Sequence, residues 1–465
     1  MGIIADEGPT LKEGEVTLSK MERAQSGSRW ILKAETGILT PMKILFVLEC
    51  ANRETNGTSA TCLRFAEELR KRGHEVRIIG CRYQKEGDTS SWYIPLPYYH
   101  FPLFNWLIER EGFNFCRLKG QYHTLYDAVK WADLVHLFLP FKLSNQIRIM
   151  AQSLGVPVTS AFHLQPQNVT CAIHLGKLHF GNWVLYHSFR KYLYNQVHLV
   201  HCPSEMIARE LKRNHYDRNE CHVISNGVSP FFHRVEAKRD PAWGKRFVVV
   251  MSGRLASEKR QDLLIRAVAK SKHKSDIQIV LCGMGPNKPF LEAQAKKNRL
   301  SDQLQIHFCD KEALRDVLSS CDLYVHCSDY EIEGISAIEA ICCGAIPVIS
   351  DARFSATSDF SLDDEKCLFH HGSAKSLAEK IDYFYEHPEE MERLRPLYLA
   401  SCSRFLLSAQ VDAFEAMFAE AVQEEKEGKD LFTLYPRKKD KRKGRKIFRA
   451  LAKQDPAIET PASLQ

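Results

Sequence analysis

Two series of short apolar segments alternate with longer amphipathic segments along most of this 465-residue chain. The first series is KILFVLE, HEVRIIG, ADLVHLFLP, PVTSAF, VHLVHCPS and CHVISNG, and the second is RFVVVMSG, IQIVLCG, QIHFC, DLYVHCS, IPVIS and CLFHH. Continuously apolar strands that alternate with helices are typical of parallel sheets covered on both faces. The pattern therefore predicts an α/β chain with two doubly wound domains, with the carboxyl ends of both sheets along one cleft.

The predicted domain boundaries follow from where this pattern starts, pauses and stops. A chain of this length exceeds one ordinary hydrophobic core, so more than one domain is expected. We predict a disordered N-terminal extension (1–41), a first domain (42–230), a second domain (231–405), a C-terminal helix that can cross back to the first domain (406–430) and a basic tail (431–465).

The composition, 44% hydrophobic and 26% charged, is that of a soluble globular protein. Fifteen cysteines, an odd number, occur without CxxC pairs or histidines at metal-ligand spacing, which favours reduced thiols and no metal site. The start of the chain lacks the apolar core of a signal peptide, and no apolar run approaches the roughly 20 residues of a membrane helix. We expect a cytoplasmic protein whose membrane contact is peripheral.

The positive charge is concentrated in the tail. The chain carries a net charge of +7, yet Arg437–Lys453 holds ten Lys or Arg and one Asp, so the remainder is −2. Such a segment favours the anionic inner face of the cell membrane, with Ile447, Phe448 and Leu451 available for insertion. The alternatives are a solubilising tail or an RNA-binding tail. No nucleic acid is expected, because nothing else in the sequence supplies a base-stacking surface.

The second series contains a candidate anion site. MSGRLASEKR passes from a strand into a helix predicted to begin at Ser257–Lys259, which places Arg254 and Lys259 near a helix N-terminus. Two cations there suit a diphosphate, although a solvated turn is the alternative. Gly283 in LCGMGP predicts a tight turn that a nucleotide base can approach.

The stretch SDYEIEGISAIEAICCG carries two carboxylates between a strand and a buried helix. Glu331 is predicted in the loop and Glu339 more than a turn inside the helix, with Gly334 and the N–H groups of Ile335 and Ser336 between them. A helix N-terminus that binds phosphates, with a carboxylate for each pair of vicinal hydroxyls, suits a nucleotide sugar.

These motifs resemble a known enzyme family. ExxGISAIEAICCGAIPVIS is similar to the E-x7-E signature of retaining glycosyltransferases of family four, GRLASEKR to their diphosphate loop and ISNGVSPFF to their interdomain segment. The resemblance covers roughly residues 42–425. It implies the GT-B fold, in which two Rossmann-like domains face each other across a cleft.

The resemblance also implies individual roles. Glu331 would lie at the reacting centre, Glu339 would bind the ribose, and Arg254 and Lys259 would neutralise the leaving diphosphate, so that no metal or other cofactor is required. In the first domain, TSAFHLQPQN places His163 where the family has a histidine that contacts the donor sugar. Gly57 in TNGTSAT corresponds to the family's glycine loop, with one glycine where a pair is usual.

The acceptor is expected to bind the first domain. Tyr98, Phe101 and Trp106, and further along Arg190 and Lys191, combine aromatic and basic character suited to a membrane interface, although core packing explains many aromatic residues equally well. FHLQPQN resembles the FHxQPEN of bacterial diacylglycerol glucosyltransferases, which implies transfer of glucose from UDP-glucose to a lipid such as diacylglycerol.

Other functions stay open at this point. The acceptor could be a polysaccharide, a lipid-linked glycan or a soluble compound, and a protein of another class could bind nucleotide sugars or glycans without transfer. A dehydrogenase is disfavoured because no GxGxxG follows an early strand.

Overall fold

The computed structural model describes residues 40–49, 57–81, 91–99, 115–172, 179–428 and 437–464. The chain divides into two compact units. One unit is Val228–Arg404, and the other combines the described residues from 40 to 227 with those from 405 to 464. The division before Val228 lies close to the boundary predicted at residue 231.

The N-terminal unit contains a seven-stranded sheet in which every pairing is parallel. Its strands are β1 (Lys43–Leu48), β2 (Glu75–Cys81), β3 (Tyr93–Leu96), β4 (Leu134–Leu137), β5 (Val158–Ala161), β6 (Leu199–Cys202) and β7 (Glu220–Val223). The order is β3-β2-β1-β4-β5-β6-β7, so the winding reverses between β1 and β4. The sequence pattern missed β3, a four-residue edge strand that contains Pro95.

Helices of this unit connect the parallel strands. They are α1 (Gly57–Lys71), α2 (Tyr122–Trp131), α3 (Lys142–Ser153), α4 (Pro166–Ala172), α5 (His179–Tyr192) and α6 (Glu205–Arg213). Crossovers of this kind are required because parallel neighbours cannot be joined by a tight hairpin. The central strand β1 is almost completely buried, as its continuous apolar sequence predicts.

The C-terminal unit repeats this architecture. Its strands are β8 (Phe247–Ser252), β9 (Ile277–Cys282), β10 (Leu304–His307), β11 (Leu323–His326), β12 (Tyr330–Glu331), β13 (Ile346–Ser350), β14 (Phe354–Ser355) and β15 (Leu368–Phe369). The six-stranded sheet has the order β10-β9-β8-β11-β13-β15, which is the order of a Rossmann fold, while β12 and β14 form a separate two-stranded sheet. The winding reverses between β8 and β11.

Seven helices of the described chain follow these strands in the same unit: α7 (Gln261–Val268), α8 (Lys288–Lys297), α9 (Lys311–Ser320), α10 (Ile335–Cys342), α11 (Asp364–Cys367), α12 (Ala374–Glu386) and α13 (Pro388–Ser401). Gly344, in a left-handed conformation with φ of 84°, follows α10 and leads into β13. The two Rossmann-like units thus account for both series of apolar segments.

The last helices, α14 (Leu407–Lys426) and α15 (Lys438–Ala452), belong to the N-terminal unit. Phe414 of α14 stacks on Phe65 of α1 with ring centroids 4.4 Å apart, and Arg72 donates to Glu415 at 2.8 Å. Among the described helices, none combines the length and apolar character needed to cross a bilayer.

The expectation that Ile447, Phe448 and Leu451 insert into a membrane is wrong. These side chains of α15 are 5%, 0% and 0% exposed, and the helix packs on α2 and α3. Their spacing places them on one face of α15 with Gly444, where an added Cβ would lie 2.8 Å from Leu464. The basic segment is therefore a docked amphipathic helix, and its apolar face contributes to the core.

Candidate active site

The candidate site lies where β8 and β11 end side by side. Tyr324 of β11 pairs in register with Val250 of β8, and the winding of the sheet reverses between these two strands. In open α/β sheets, ligands bind outside the carboxyl ends of the strands at such a reversal. The loop after β8 carries Arg254 and Lys259, and the segment after β11 carries Glu331, so two distant parts of the sequence meet here.

Lys259 and Glu331, predicted in separate roles, contact each other. The Lys259 Nζ donates to Glu331 Oε1, and His326 Nε2 lies 3.1 Å from the same oxygen. The side chain of Lys259 is 20% exposed and that of Glu331 is 12% exposed. Glu331 lies in the two-residue strand β12 rather than in a loop, because residues 330 and 331 pair with β14.

The environment of Glu331 keeps its carboxylate ionised. Burial alone raises the pKa of Glu331, but the adjacent Lys259 ammonium and the hydrogen bond from His326 outweigh it, so the pKa lies well below its ordinary value. Glu331 is thus a fixed negative charge that a partly exposed lysine holds in place.

Sequence reasoning missed the hydrogen-bonded residues behind Glu331. Tyr324 Oη lies 3.3 Å from His326 Nδ1, 3.3 Å from Ser336 Oγ and 3.4 Å from Ser252 Oγ. Burial raises the pKa of Tyr324, and Glu331 and Glu339 raise it further, so both carboxylates lie within electrostatic reach of this phenol. Position along the sequence could have indicated His326, because it is the last residue of β11 before the acidic segment.

Arg254 and Lys259 lie on a loop that the structure divides differently from the prediction. Ser257–Lys259 form a separate 3-10 turn, Arg260 adopts a left-handed φ of 55°, and α7 begins only at Gln261. The helix predicted to start at Ser257 is therefore interrupted at Arg260. Arg254 is 45% exposed and donates to Glu258 Oε1 at 2.7 Å.

Further contacts connect this loop to the segment after β11. The backbone N–H of Asp329 donates to the carbonyl of Glu258 at 2.8 Å, and Arg260 Nη1 donates to Asp329 Oδ1 at 3.1 Å. His371 Nε2 lies 2.8 Å from the same carboxylate oxygen. Asp329 thus connects three segments and fixes Lys259 relative to Glu331.

Gly334 shapes the N-terminus of α10. Its φ of 96° is left-handed, and an added Cβ would lie 2.2 Å from Thr357 Cγ2, so both conformation and space require glycine. Ile335 and Ser336 follow in the first helical turn, where N–H groups have no acceptor within the helix. Glu339, half-buried, lies one turn later, as predicted.

Gly283 is required by close packing. An added Cβ there would lie 1.9 Å from the carbonyl oxygen of Gly253, because the loops after β8 and β9 run against each other. Next to it, Cys282, His307 and Cys309 place their ligand atoms within 4.8 Å of one another. Spacing along the sequence could not show this group, since it forms across the pairing of β9 with β10.

His163 follows β5 in the N-terminal unit and is buried, 4% exposed. Its Nε2 lies 3.4 Å from Nδ1 of His201, while its Nδ1 has no hydrogen-bond partner among the described residues. Burial and the neighbouring His201 lower the pKa of His163, so its imidazole is neutral at pH 7. A contact with the donor sugar stays a prediction.

Glu49 and Gly57 lie on either side of a segment outside the described residues. Glu49 follows β1, is 1% exposed, and its Oε1 accepts from the Leu143 N–H at 2.7 Å. Burial raises the pKa of Glu49 to about 8. Gly57 begins α1, and no atom of the described residues lies within 4 Å of an added Cβ.

The residues predicted at the acceptor have varied environments. Tyr98 is 38% exposed and forms an antiparallel bridge with Cys116, whereas Phe101 and Trp106 lie outside the described residues. Arg190 donates to the carbonyls of Asn214 and His215 at 3.0 and 2.8 Å, which stabilises the end of α6. Lys191 is exposed on α5.

Comparison with protein families gives two matches, one to each Rossmann-like unit. The family described as Glycosyl transferases group 1 matches residues 234–396, and Glycosyltransferase Family 4 matches residues 55–230. The first match contains Arg254, Lys259, Glu331 and Glu339. Together the two matches cover well over half of the chain.

Two individual relatives share between a quarter and a third of their aligned residues with this chain. A GDP-mannose-dependent alpha-mannosyltransferase of Corynebacterium glutamicum is 26% identical over 306 residues, which are 63% of this chain and 68% of the relative. The GPI3 subunit of phosphatidylinositol N-acetylglucosaminyltransferase of Saccharomyces cerevisiae is 32% identical over 158 residues, 32% of this chain and 33% of the relative.

A solved structure shows the same fold. HepE of Anabaena, in complex with UDP and glucose, superposes with a TM-score of 0.61 at 15% identity, covering 82% of this chain and all of that one. The family matches, the relatives and the shared fold all indicate a glycosyltransferase. This chain belongs to the group 1 glycosyltransferases and has the two Rossmann-like domains of the GT-B fold.

Proposed function

We propose that this glycosyltransferase moves a hexose, with retention of anomeric configuration, from a nucleotide diphosphate sugar to a lipid hydroxyl at the membrane surface. The observation that carries this proposal is the arrangement of Lys259, Glu331 and the α10 N-terminus at the reversal between β8 and β11. Cations, helix N–H groups and an ionised carboxylate converge there on one place.

The diphosphate would bind to the cations of this site. The ammonium of Lys259 has three N–H donors and the guanidinium of Arg254 has five. Each can therefore bind its present carboxylate partner and a phosphate oxygen at the same time. The N–H groups of Ile335 and Ser336, with the helix dipole, add further positive potential. As the glycosidic bond breaks, these groups stabilise the charge that develops on the leaving diphosphate.

Glu331 would act on the sugar. Its carboxylate is ionised and held by Lys259 and His326, so it can accept a hydrogen bond from a sugar hydroxyl without first losing a proton. Glu339 would bind the ribose, and Gly283 would let the base approach the backbone. For retention, the acceptor attacks from the face that the diphosphate leaves, and a phosphate oxygen takes the acceptor's proton.

UDP-glucose is our first choice of donor and GDP-mannose the second. HepE was solved with UDP and glucose, whereas the relative from Corynebacterium glutamicum is named as GDP-mannose-dependent. A lipid acceptor is supported by the name of the yeast relative, which includes phosphatidylinositol, and by the resemblance of FHLQPQN to diacylglycerol glucosyltransferases. A glycan or soluble acceptor is the alternative.

The proposal is tested by incubating the protein with radiolabelled UDP-glucose or GDP-mannose and vesicles containing diacylglycerol or phosphatidylinositol. We expect label from one donor to enter the organic phase, and the rate to be unchanged by EDTA because side chains supply the positive charge. Label that remains with intact donor in every combination would contradict a lipid acceptor. Release of free nucleotide with a soluble acceptor would assign the enzyme to glycans or small molecules.

A further inference from the structure

A cavity of about 680 Å³ lies in the N-terminal unit between α5, α15 and the start of α3. Most of the charged side chains that line it are basic. From α5 it has His187, Lys191 and the aromatic Tyr192, and from α15 and the residue before it come Arg437, Lys439 and Lys443. Lys191 and Lys439 are exposed, and Lys443 is half-buried with its Nζ 5.7 Å from the centre of the Tyr192 ring.

The acidic residue in the lining, Asp440, is already neutralised. It is 1% exposed, and its Oδ2 accepts from Arg148 at 3.0 Å and from Arg437 at 2.7 Å. Burial lowers the pKa of Lys443, and the nearby Lys439, Arg148 and Arg437 lower it further, against the opposite effect of Asp440. Positive charge is therefore crowded in the cavity, and an anion bound there would relieve the repulsion.

The exposed surface of α5 next to this cavity is apolar and aromatic. Phe180 is 75% exposed and Trp183 is 58% exposed, which is unusual for large apolar side chains, and Val184 lies beside them. Phe180 stacks on Trp183 with ring centroids 6.0 Å apart, and Trp183 stacks on His187 at 5.7 Å. The aromatic row thus runs along α5 and ends at a residue that lines the cavity.

Resting on the lipid acceptor proposed above, we infer that this cavity binds the phosphate of an anionic lipid headgroup, while Phe180 and Trp183 enter the membrane interface beside it. A phosphate ester supplies the negative charge that the basic lining favours. Aromatic side chains next to basic ones suit the boundary between headgroups and acyl chains. A soluble phosphate ester offers the same charge but would leave the aromatic row without a partner.

The test uses the full chain and two matched double variants of α15. Lys439→Ala with Lys443→Ala removes two charges from the cavity. Arg442→Ala with Lys446→Ala removes the same charge from side chains of this helix that do not line it. Binding to phosphatidylcholine vesicles with and without phosphatidate is measured by sedimentation, and circular dichroism confirms that each variant is folded.

We expect the wild type to prefer phosphatidate vesicles and the cavity variant to bind them about thirty-fold more weakly, from about 1 kcal/mol for each basic side chain. The control variant should lose much less, and Trp183→Ala should weaken binding to both kinds of vesicle. Equal losses in the two double variants would show diffuse attraction of the helix to the membrane and would overturn the site.

A second experiment, with a soluble ligand, distinguishes a lipid headgroup from a soluble phosphate ester. Glycerol phosphate is titrated by calorimetry into the wild type and the cavity variant. Weak binding that depends on Lys439 and Lys443, together with strong vesicle binding, supports the lipid headgroup. Binding of glycerol phosphate without any preference for phosphatidate vesicles would assign the cavity to a soluble ester. Sugar transfer is measured separately, so its absence would count against the proposed function and not against the headgroup site.

Discussion

Among single residues, Lys259 connects the two chemical parts of the proposed donor site. It holds Glu331, which we assign to the sugar, and it lies on the loop that we assign to the diphosphate. Its loss would remove the charge-assisted hydrogen bond to phosphate that we propose. Of the two described partners of Glu331, Lys259 and His326, His326 would remain.

Replacing Lys259 with Ala should weaken UDP binding by about 1.5–3 kcal/mol, which is roughly 10- to 150-fold, the usual contribution of a hydrogen bond to a charged group. Isothermal titration calorimetry with UDP measures the effect. Lys270→Ala, at an exposed lysine of the same unit, is the control and should bind as the wild type does. The diphosphate assignment would be refuted by equal UDP affinity in the two variants.

Glu49 gives a prediction about pH and stability. Its pKa is about 8 in the folded protein, raised by burial from an ordinary 4.5. Between these values the folded state binds more protons than the unfolded one, so the free energy of unfolding falls as pH rises through this window and then levels off. The maximal slope is about 1.4 kcal/mol per pH unit.

Replacing Glu49 with Gln should remove this dependence while keeping an acceptor for the Leu143 N–H. The two proteins are compared by guanidinium unfolding from mildly acidic to mildly alkaline pH. We expect the variant to gain stability relative to the wild type as the pH approaches 8. Parallel profiles would mean that Glu49 is already ionised in the folded state.

At the scale of secondary-structure elements, the position of α10 depends on Gly334. An alanine would combine a left-handed φ, which costs about 1–2 kcal/mol, with a close contact to Thr357 that adds about 1–3 kcal/mol. The free energy of unfolding of Gly334→Ala, measured in urea, should therefore be about 2–5 kcal/mol lower than that of the wild type, and the variant should bind UDP more weakly.

Gly372→Ala is the matched control for that substitution. Gly372 has a φ of 74° in the same unit, and nothing in the part of the chain that the structure describes lies within 4 Å of an added Cβ. The free energy of unfolding of the Gly372→Ala variant should fall only by the cost of the left-handed φ, and its affinity for UDP should be unchanged. Similar losses in both variants would show that space beside Thr357 is unimportant for α10.

The docking of α15 depends on a buried ion pair. Arg148 of α3 is completely buried and donates to Asn145, Gln152 and Asp440. Asp440→Ala leaves this guanidinium without its carboxylate, and we expect a loss of about 3–5 kcal/mol in the free energy of unfolding. Arg148→Met in the same chain should recover part of that loss. A double variant whose loss equals the sum of the single losses would show that the pair is not coupled.

Across the whole molecule, the sequence predicted the elements better than the contacts between them. Continuous apolar runs identify the buried parallel strands, and Gly334 and Glu331 mark the segment after β11. Lys259 and Glu331 are 72 positions apart, however, and Arg148 and Asp440 are 292 apart. Such pairs depend on which strands and helices are neighbours, which local periodicity does not encode.

The tail shows the same limit in another form. Its basic composition predicted a tail at an anionic membrane surface, whereas the structure shows a docked helix whose exposed face is basic. Whether Ile447 and Phe448 face lipid or protein depends on the complementary surface of α2 and α3, which lies in a distant part of the chain. Composition describes the helix, but only the fold supplies its partner.

The most direct test of the account is the configuration of the transferred sugar. We place the leaving diphosphate and the attacking hydroxyl on one face of the sugar, beside Lys259 and Glu331, so an α-linked nucleotide sugar should give an α-linked product. The product of the preferred donor is purified, and its anomeric proton is examined by NMR spectroscopy. An α-glycoside is predicted, whereas a β-glycoside would require attack from the opposite face and would contradict this mechanism.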